Sequence, residues 1–307
     1  MAQLFSLRQF ISQIFLYAIS AGFLVCDTII GMHDKDTSHS TLAFIGGGNM
    51  ASAIIGGLIH QGTPASRIIV IEPFQETRQR IEHQFNIKTY ASAGPALEEA
   101  GLVVWAVKPQ VFKDAALSTG MFCKDALHLS VAAGIRSDSI AQWLNSERIV
   151  RAMPNTPALV GLGQTGLFAR PSVTAEDKGW IERIVATTGQ YLWVNDETLL
   201  DAVTAVSGSG PAYVFFFIEA MVKAGVHMGL TEAQAHQLAV GTFVGAAELA
   251  RSANESPTIL RERVTSKGGT TYAAISTMQA AGMAEQFQAA LLAAQQRAAE
   301  MGDAFGG

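Results

Sequence analysis

"TLAFIGGGNMASAIIGGLIHQG", residues 41 to 62, runs from an apolar stretch through three glycines into a helical pattern. Thr41 to Ile45 carries no charge, apolar residues recur at helical spacing after Met50, and Gly62 stops the pattern. The reading is strand, turn, helix. The same rhythm returns downstream. Apolar runs at 67–71 ("RIIVI"), 102–107 ("LVVWAV"), 127–133 ("LHLSVAA") and 148–153 ("RIVRAM") are interleaved with helical segments such as "ETRQRIEHQF" and "QVFKDAAL". Alternation of this kind implies a parallel sheet covered by helices on both faces. From about residue 200 the strands stop. "PAYVFFFIEAMVKAGVHMG", "TEAQAHQLAVGTFVGAAELA" and "GMAEQFQAALLAAQQRAAEM" are helical in pattern, and Thr231 and Gln234 have the spacing of a capping box. The chain reads as an α/β unit over 41–200 followed by an all-α unit over 201–307.

Composition sets the class. A chain of 307 residues, 49% of them hydrophobic, can bury a large core, and at ~150 residues per domain its length suits two domains. A net charge of -5 without a Lys/Arg cluster gives no attraction to a phosphate backbone, so no nucleic-acid partner is expected. Cys26 and Cys123 are the only cysteines, and neither Cys-x-x-Cys nor His-Glu-x-x-His occurs. Neither a disulfide framework nor a metal site is expected, and a reducing, cytoplasmic setting fits.

The first forty residues stand apart. "FISQIFLYAISAGFLVC" (10–26) is uncharged but interrupted by Ser12, Gln13 and Ser20, and the polar "HDKDTSHS" follows at 33–40. It is shorter than the ~20 apolar residues that a membrane span needs, and no small-residue cleavage site follows. A signal peptide and a marginal membrane helix are two readings. The preferred one is an upstream in-frame start with Met32 as the working initiator, which leaves residues 1–40 as an extension outside the fold and no membrane partner.

Gly46-x-Gly48-x-x-Ala51 lies between the first strand and its helix. Gly46 permits the tight turn, Gly48 lets a pyrophosphate approach the backbone, and Ala51 lets helix pack on strand. Alone the pattern is weak, and a glycine-rich turn that binds nothing is the plain alternative. Its place in the first βαβ unit, with Glu72 ending the second strand, points to a Rossmann-type dinucleotide site. "AVKP" (106–109) and "AAG" (132–134) also end strands and fall beside the same cofactor. A carboxylate at Glu72 would accept the adenosine ribose hydroxyls and favour NAD, whereas Arg78, about a turn away, could turn toward a 2′-phosphate.

"FIGGGNMASAIIGGL", "AVKPQ", "RAMPNTPALV", "DAVTAVSGSGPAYVFFFIEAM" and "VTSKGGTTYAAI" together resemble pyrroline-5-carboxylate reductase, in the same order and from about residue 41 to the C-terminus. The resemblance implies reduction of 1-pyrroline-5-carboxylate to L-proline by hydride from NADPH, with NADH as the alternative donor. It implies a Rossmann domain followed by an all-α domain that dimerises, so that the protein is a homodimer or a larger homo-oligomer. The active site would lie between one subunit's cofactor and the other's helices. Carried over by position, Ile45, Gly46, Gly47, Gly48, Asn49 and Met50, with Ala106, Val107, Lys108 and Pro109, then Ala132, Ala133 and Gly134, would hold the cofactor beside Glu72. Asn155 would lie on the nicotinamide side. Thr270 and Thr271 would meet the imino acid, Thr271 as the catalytic hydroxyl, and Glu197 matches a position that touches it. One departure is Ser266-Lys267-Gly268-Gly269, where the family usually has proline in place of Lys267.

Backbone N–H groups of Gly268, Gly269, Thr270 and Thr271 at a helix start form a nest suited to the substrate carboxylate. A capped helix without a ligand is the alternative. The helix after the α/β unit begins "GPAYVFFFIEAM" and has no lysine before Lys223. Oxidising a hydroxyl needs a general base, whereas a protonated imine needs only hydride, orientation and a hydrogen bond, so the missing lysine favours imine reduction. Two rivals share this architecture: a reductase of another cyclic imine or keto acid, and a non-catalytic NAD(P)-binding redox sensor. Phe215 to Phe217 read as core or subunit interface, and Gly241-x-x-x-Gly245 as close helix packing.

Overall fold

The structure, a computed structural model, describes residues 40–305. The extension read over residues 1–40, with Met32, lies outside these described residues except for Ser40.

Eight strands form one sheet in the order β3-β2-β1-β4-β5-β6-β7-β8. They are β1 (Thr41–Ile45), β2 (Ile68–Ile71), β3 (Lys88–Tyr90), β4 (Ala100–Trp105), β5 (Leu127–Ser130), β6 (Ile149–Met153), β7 (Gly163–Ala169) and β8 (Gly189–Trp193). Helices α1 (Asn49–His60), α2 (Gln75–Phe85), α3 (Pro109–Thr119), α4 (Ser137–Leu144) and α5 (Ala175–Val185) cover it. The two faces follow from the period of two along each strand. Leu42 and Phe44 of β1 join Ile68, Val70, Leu102 and Val104 in a core under α1 and α5, while Ala43 and Ile45 join Ile69, Val103 and Trp105 under α3 and α4.

The sheet departs from the all-parallel expectation at one place. β7 pairs with β6 antiparallel, and β8 then pairs with β7 parallel. Between β6 and β7 only a 3₁₀ turn, Thr156–Val160, intervenes, too short for the dozen or more residues of a parallel crossover.

A continuous helical rod follows. α6 (Leu199–Val203) passes through a π-helical turn, Thr204–Gly208, into α7 (Gly210–His227). α8 (Glu232–Ser252), α9 (Pro257–Arg263), α10 (Thr270–Ala280) and α11 (Met283–Phe305) complete the chain. α8 opens on a capping box: the Thr231 N–H donates to Gln234 Oε1 at 2.9 Å, and the Gln234 N–H to Thr231 Oγ1 at 3.3 Å. α11 returns to the sheet, burying Ala298 and Gly302 and packing Phe305 on the core beneath α3 and α4. The remaining helices leave much apolar surface open within one chain, with Phe215 65% and Phe216 67% exposed. Phe217 instead meets Phe287 edge-on, and Phe287 meets Tyr213. Added methyl groups at Gly241 and Gly245 would meet nothing within 4 Å, so the close packing expected there is not made within the chain.

Beneath the sheet, the Trp105 indole donates to His128 Nδ1 at 3.2 Å. The neutral imidazole therefore carries its proton on Nε2, which is buried without an acceptor among the described residues. Burial, aided by the charge of Arg148, pushes the His128 pKa down to about 4 from its ordinary 6.5. The unfolded chain then binds the extra proton between these values, so stability falls as pH drops from 6.5 toward 4 and is unaffected above 6.5. Urea unfolding at fixed protein concentration should show His128→Leu losing about 2 kcal/mol less than the wild type between pH 7 and pH 5. Equal losses would mean that His128 does not set the acid limit.

Candidate active site

The chain leaves β1 at Gly46 with φ +95°, and the Gly46 N–H donates to the carbonyl of Ile71 at the end of β2 (2.8 Å). The Ala106 N–H, just past β4, donates to the carbonyl of Ile45 (2.8 Å). A Cβ at Gly46 would stand 2.7 Å from the Ala106 carbonyl oxygen, so only glycine fits where these three strand ends meet. Gly48 caps α1 and faces open space, with nothing within 4 Å of an added Cβ. No side chain caps α1 and no acid lies in its first turn. The N–H groups of Asn49, Met50 and Ala51 therefore point out of the helix end without intrahelical partners. These residues fit a pyrophosphate, which would take those donors and the positive end of the helix dipole.

Glu72 stands beside this loop, but its carboxylate already serves the protein. Oε2 accepts the Gly47 N–H at 2.9 Å and Oε1 the Phe74 N–H at 3.0 Å. Arg78 donates to the backbone carbonyls of Glu72 (2.8 Å) and Pro73 (2.7 Å). Arg80, which sequence reading passed over, crosses to the carbonyl of Gly47 at 2.7 Å. Two guanidinium groups thus border the loop. Ala106 and Val107 continue from β4, Lys108 caps α3 and Pro109 opens it. In the turn after β5, Ala132 is buried and Gly134 adopts φ +70°, where a Cβ would lie 3.0 Å from Cβ of Met301 in α11. Ala133 lies between them.

Asn155 bridges two elements rather than standing free. Its Nδ2 donates to the carbonyl and Oγ of Ser207 (3.2 Å each), and its Oδ1 accepts the Gln164 N–H at 2.9 Å.

Glu197, expected to touch the imino acid, has partners within the protein. Its Oε1 accepts from Arg151 (2.6 Å) and from the Ser137 N–H (2.6 Å), and its Oε2 from Ser137 Oγ (2.6 Å). Both oxygens thus have partners, and the Arg151 side chain is only 6% exposed. Burial pulls the Arg151 guanidinium below its ordinary pKa, against the opposing pull of Glu197. The result is an ion pair, mostly buried, that joins β6, the start of α4 and the approach to α6.

In the loop before α10, Gly268 takes φ +75° and Gly269 caps the helix. The Gly269 N–H is engaged by the carbonyl of Ser266 at 3.0 Å, so the expected four-amide nest lacks that donor. Gly268 remains in the turn, and the N–H groups of Thr270 and Thr271 open the helix unpaired by its own geometry. Thr271 is half-buried; Thr270 and Lys267 are exposed. Arg263 pairs with Glu255. Among the described residues no hydrogen bond joins this loop to the glycine-rich loop after β1. A groove of about 260 Å³ among α7, α10 and α11, lined by Phe217, Ile275, Met278 and Phe287, contains none of the candidate residues.

A family model described as pyrroline-5-carboxylate reductase dimerisation matches residues 197–301. One described as NADP oxidoreductase coenzyme F420-dependent matches residues 41–134. The chain is 44% identical to a Pseudomonas aeruginosa pyrroline-5-carboxylate reductase over 86% of its own length and 98% of that protein. A Haemophilus influenzae pyrroline-5-carboxylate reductase is 42% identical with the same coverage. Among solved structures, a Coxiella burnetii pyrroline-5-carboxylate reductase superposes with a TM-score of 0.80 at 38% identity, covering 85% of this chain and 98% of that one. A Plasmodium falciparum pyrroline carboxylate reductase with NADP bound gives a TM-score of 0.77 at 26% identity, covering 86% and 99%.

Two substitutions test this geometry. Gly48→Ala adds a methyl group where the protein leaves room, so the thermal midpoint should hold while NADPH affinity drops by about tenfold or more, read by fluorescence titration. Undiminished affinity would remove Gly48 from the phosphate path. Glu197→Gln leaves Arg151 buried without a countercharge and should cost about 3–5 kcal/mol in urea unfolding. A raised Michaelis constant for the imino acid at unaltered stability would restore Glu197 as a substrate ligand.

Proposed function

The chain belongs to the pyrroline-5-carboxylate reductase family, and from that premise we propose which of its residues carry the reaction. It reduces 1-pyrroline-5-carboxylate to L-proline with NAD(P)H, the last step of proline biosynthesis. The observation that supports our assignment is the glycine-rich turn, where a crowded Gly46 and an open Gly48 deliver an uncapped helix end to the carboxyl edge of the sheet.

In this assignment Ile45 to Met50 receive the pyrophosphate, Ala106 to Pro109 and the Ala132 to Gly134 turn flank the nucleotide, and Asn155 borders the nicotinamide side. When bound, the reduced nicotinamide supplies the hydride. Glu72 holds the loop through the Gly47 N–H, and Arg78 and Arg80 border the adenosine end, which favours NADPH with NADH as second donor. Gly268, Thr270 and Thr271 hold the carboxylate of the imino acid with their N–H groups. The Thr271 hydroxyl bonds to the imine nitrogen. A protonated imine brings its own proton, so these residues need only orient it, an effect worth up to ~7–11 kcal/mol in favourable cases.

The protein is a homo-oligomer. We divide each chain into a Rossmann unit over 41–200 and a helical unit over 201–307, the latter forming the dimer contact through its open apolar faces. A helix spanning Leu199–His227 is long and apolar enough to cross a membrane by length and composition, but it falls within the stretch matched by the dimerisation model. We place the protein in the cytoplasm, which the sparse cysteines support.

Thr271→Val keeps the β-branched shape and removes only the hydroxyl. Following the oxidation of NADPH by absorbance, turnover of 1-pyrroline-5-carboxylate should fall roughly tenfold to a hundredfold, the loss of about 1–3 kcal/mol. Affinity for NADPH should hold, and the pH profile should keep its shape. Wild-type turnover would remove Thr271 from the mechanism, and a lost pH limb would make it an acid–base group.

A further inference from the structure

Four consecutive residues after the Ala132 to Ala133 turn are each gripped separately. Gly134 abuts Met301 of α11, and Ile135 is fully buried. Arg136 makes a two-pronged bond to Asp201 of α6, Nη1 to Oδ1 at 3.1 Å and Nη2 to Oδ2 at 2.8 Å. Ser137 is held by Glu197 through both its N–H and its hydroxyl, at 2.6 Å each. The Arg136 side chain also lies flat against α11, where a Cβ at Gly302 would stand 2.5 Å from Nε. Three of the four grips come from beyond residue 196: Glu197 and Asp201 at the entry to the helical unit, and Met301 in its last helix. The Arg136–Asp201 pair is mostly buried, its side chains 21% and 10% exposed, so water cannot replace it without cost.

We infer that Arg136 and Asp201 are positioning residues for the nucleotide, a latch through which the helical unit sets the shape of the Ala132 to Gly134 turn. The inference rests on the assignment of that turn to the cofactor. Neither side chain touches the substrate in this reading. They act by holding the backbone that faces the nucleotide, as supporting groups elsewhere orient the groups that make contact. A turn bonded to the helical unit also couples the two halves energetically, so that loosening α6 or α11 weakens nucleotide binding at a distance.

The test uses the full-length protein and NADPH itself, with Asp201→Asn, Arg136→Lys and, as a direct perturbation of the turn, Gly134→Ala. In Asp201→Asn the NADPH dissociation constant should rise about five- to twentyfold, and in Arg136→Lys by a smaller factor, because lysine keeps the charge but not the fork. The Michaelis constant for the imino acid at saturating NADPH should change less than twofold. A purely structural role would instead lower the active fraction and leave the dissociation constant where it was. If Gly134→Ala weakens NADPH binding and the latch variants do not, the inference fails while the turn keeps its role. If none of the three shifts the constant, the turn is no part of the nucleotide site and both readings fall. A shift in the latch variants without one in Gly134→Ala also overturns the latch, since its action would not pass through the turn. Should Asp201→Asn prove insoluble, Arg136→Lys decides the matter alone.

Discussion

The close approach at Gly46 is the constraint on which the site depends. The ends of β1, β2 and β4 are tied by hydrogen bonds from Gly46 to Ile71 and from Ala106 to Ile45, and a single Cβ on Gly46 would collide with the Ala106 carbonyl. Because the chain can turn there, α1 starts at once, and its unpaired amides stand at the carboxyl edge of the sheet rather than deeper in the core. A steric condition thereby creates an electrostatic one. The helix end is left without a side-chain cap or a first-turn acid, and the Glu72 carboxylate is drawn aside onto the Gly47 and Phe74 amides. What remains at the mouth is a set of unopposed donors, suited to phosphate.

A second level of organisation is ionic and sits where the two halves of the chain join. Arg151 on β6, nearly inaccessible, is answered by Glu197, and Arg136 by Asp201. Burying such charges is costly, and apolar residues could fill the same volume at no greater expense. Their geometry, however, is directional. Both carboxylates approach the start of α4 at fixed angles and distances, and a purely apolar seam would let the helical rod slide or rotate there.

Five strands were legible as short apolar runs and the helices by apolar residues at helical spacing, and the glycine-rich turn because its spacing sits between a strand and a helix. The capping box at Thr231 and Gln234 is a local signal and formed as read. β7 was not read as a strand, and its direction depends on how short the connection from β6 is. β3 is three residues long at the edge of the sheet, and β8 begins on a glycine. Glu197 was matched to the substrate by its position in the family, and its partner within the protein has no local mark in the sequence. That partner, Arg151, lies 46 residues earlier, and Arg136 and Asp201 are 65 apart, separations at which no periodicity exists to be read. The Gly269 amide was counted as a free donor because turn closure onto Ser266 depends on backbone angles, not on residue type.

The open apolar rod from Leu199 to His227 bears on how the protein is made. All eight strands precede it in the chain, so during synthesis the sheet can close before the sticky segment leaves the ribosome. The nucleotide half is then built by a process of first order in the chain, whereas covering the rod through the dimer contact we propose is of second order and waits on another copy. Yield of the assembled protein thus scales with how quickly sister chains meet, and a cell making this enzyme slowly or in small amounts carries the half-finished form for longest.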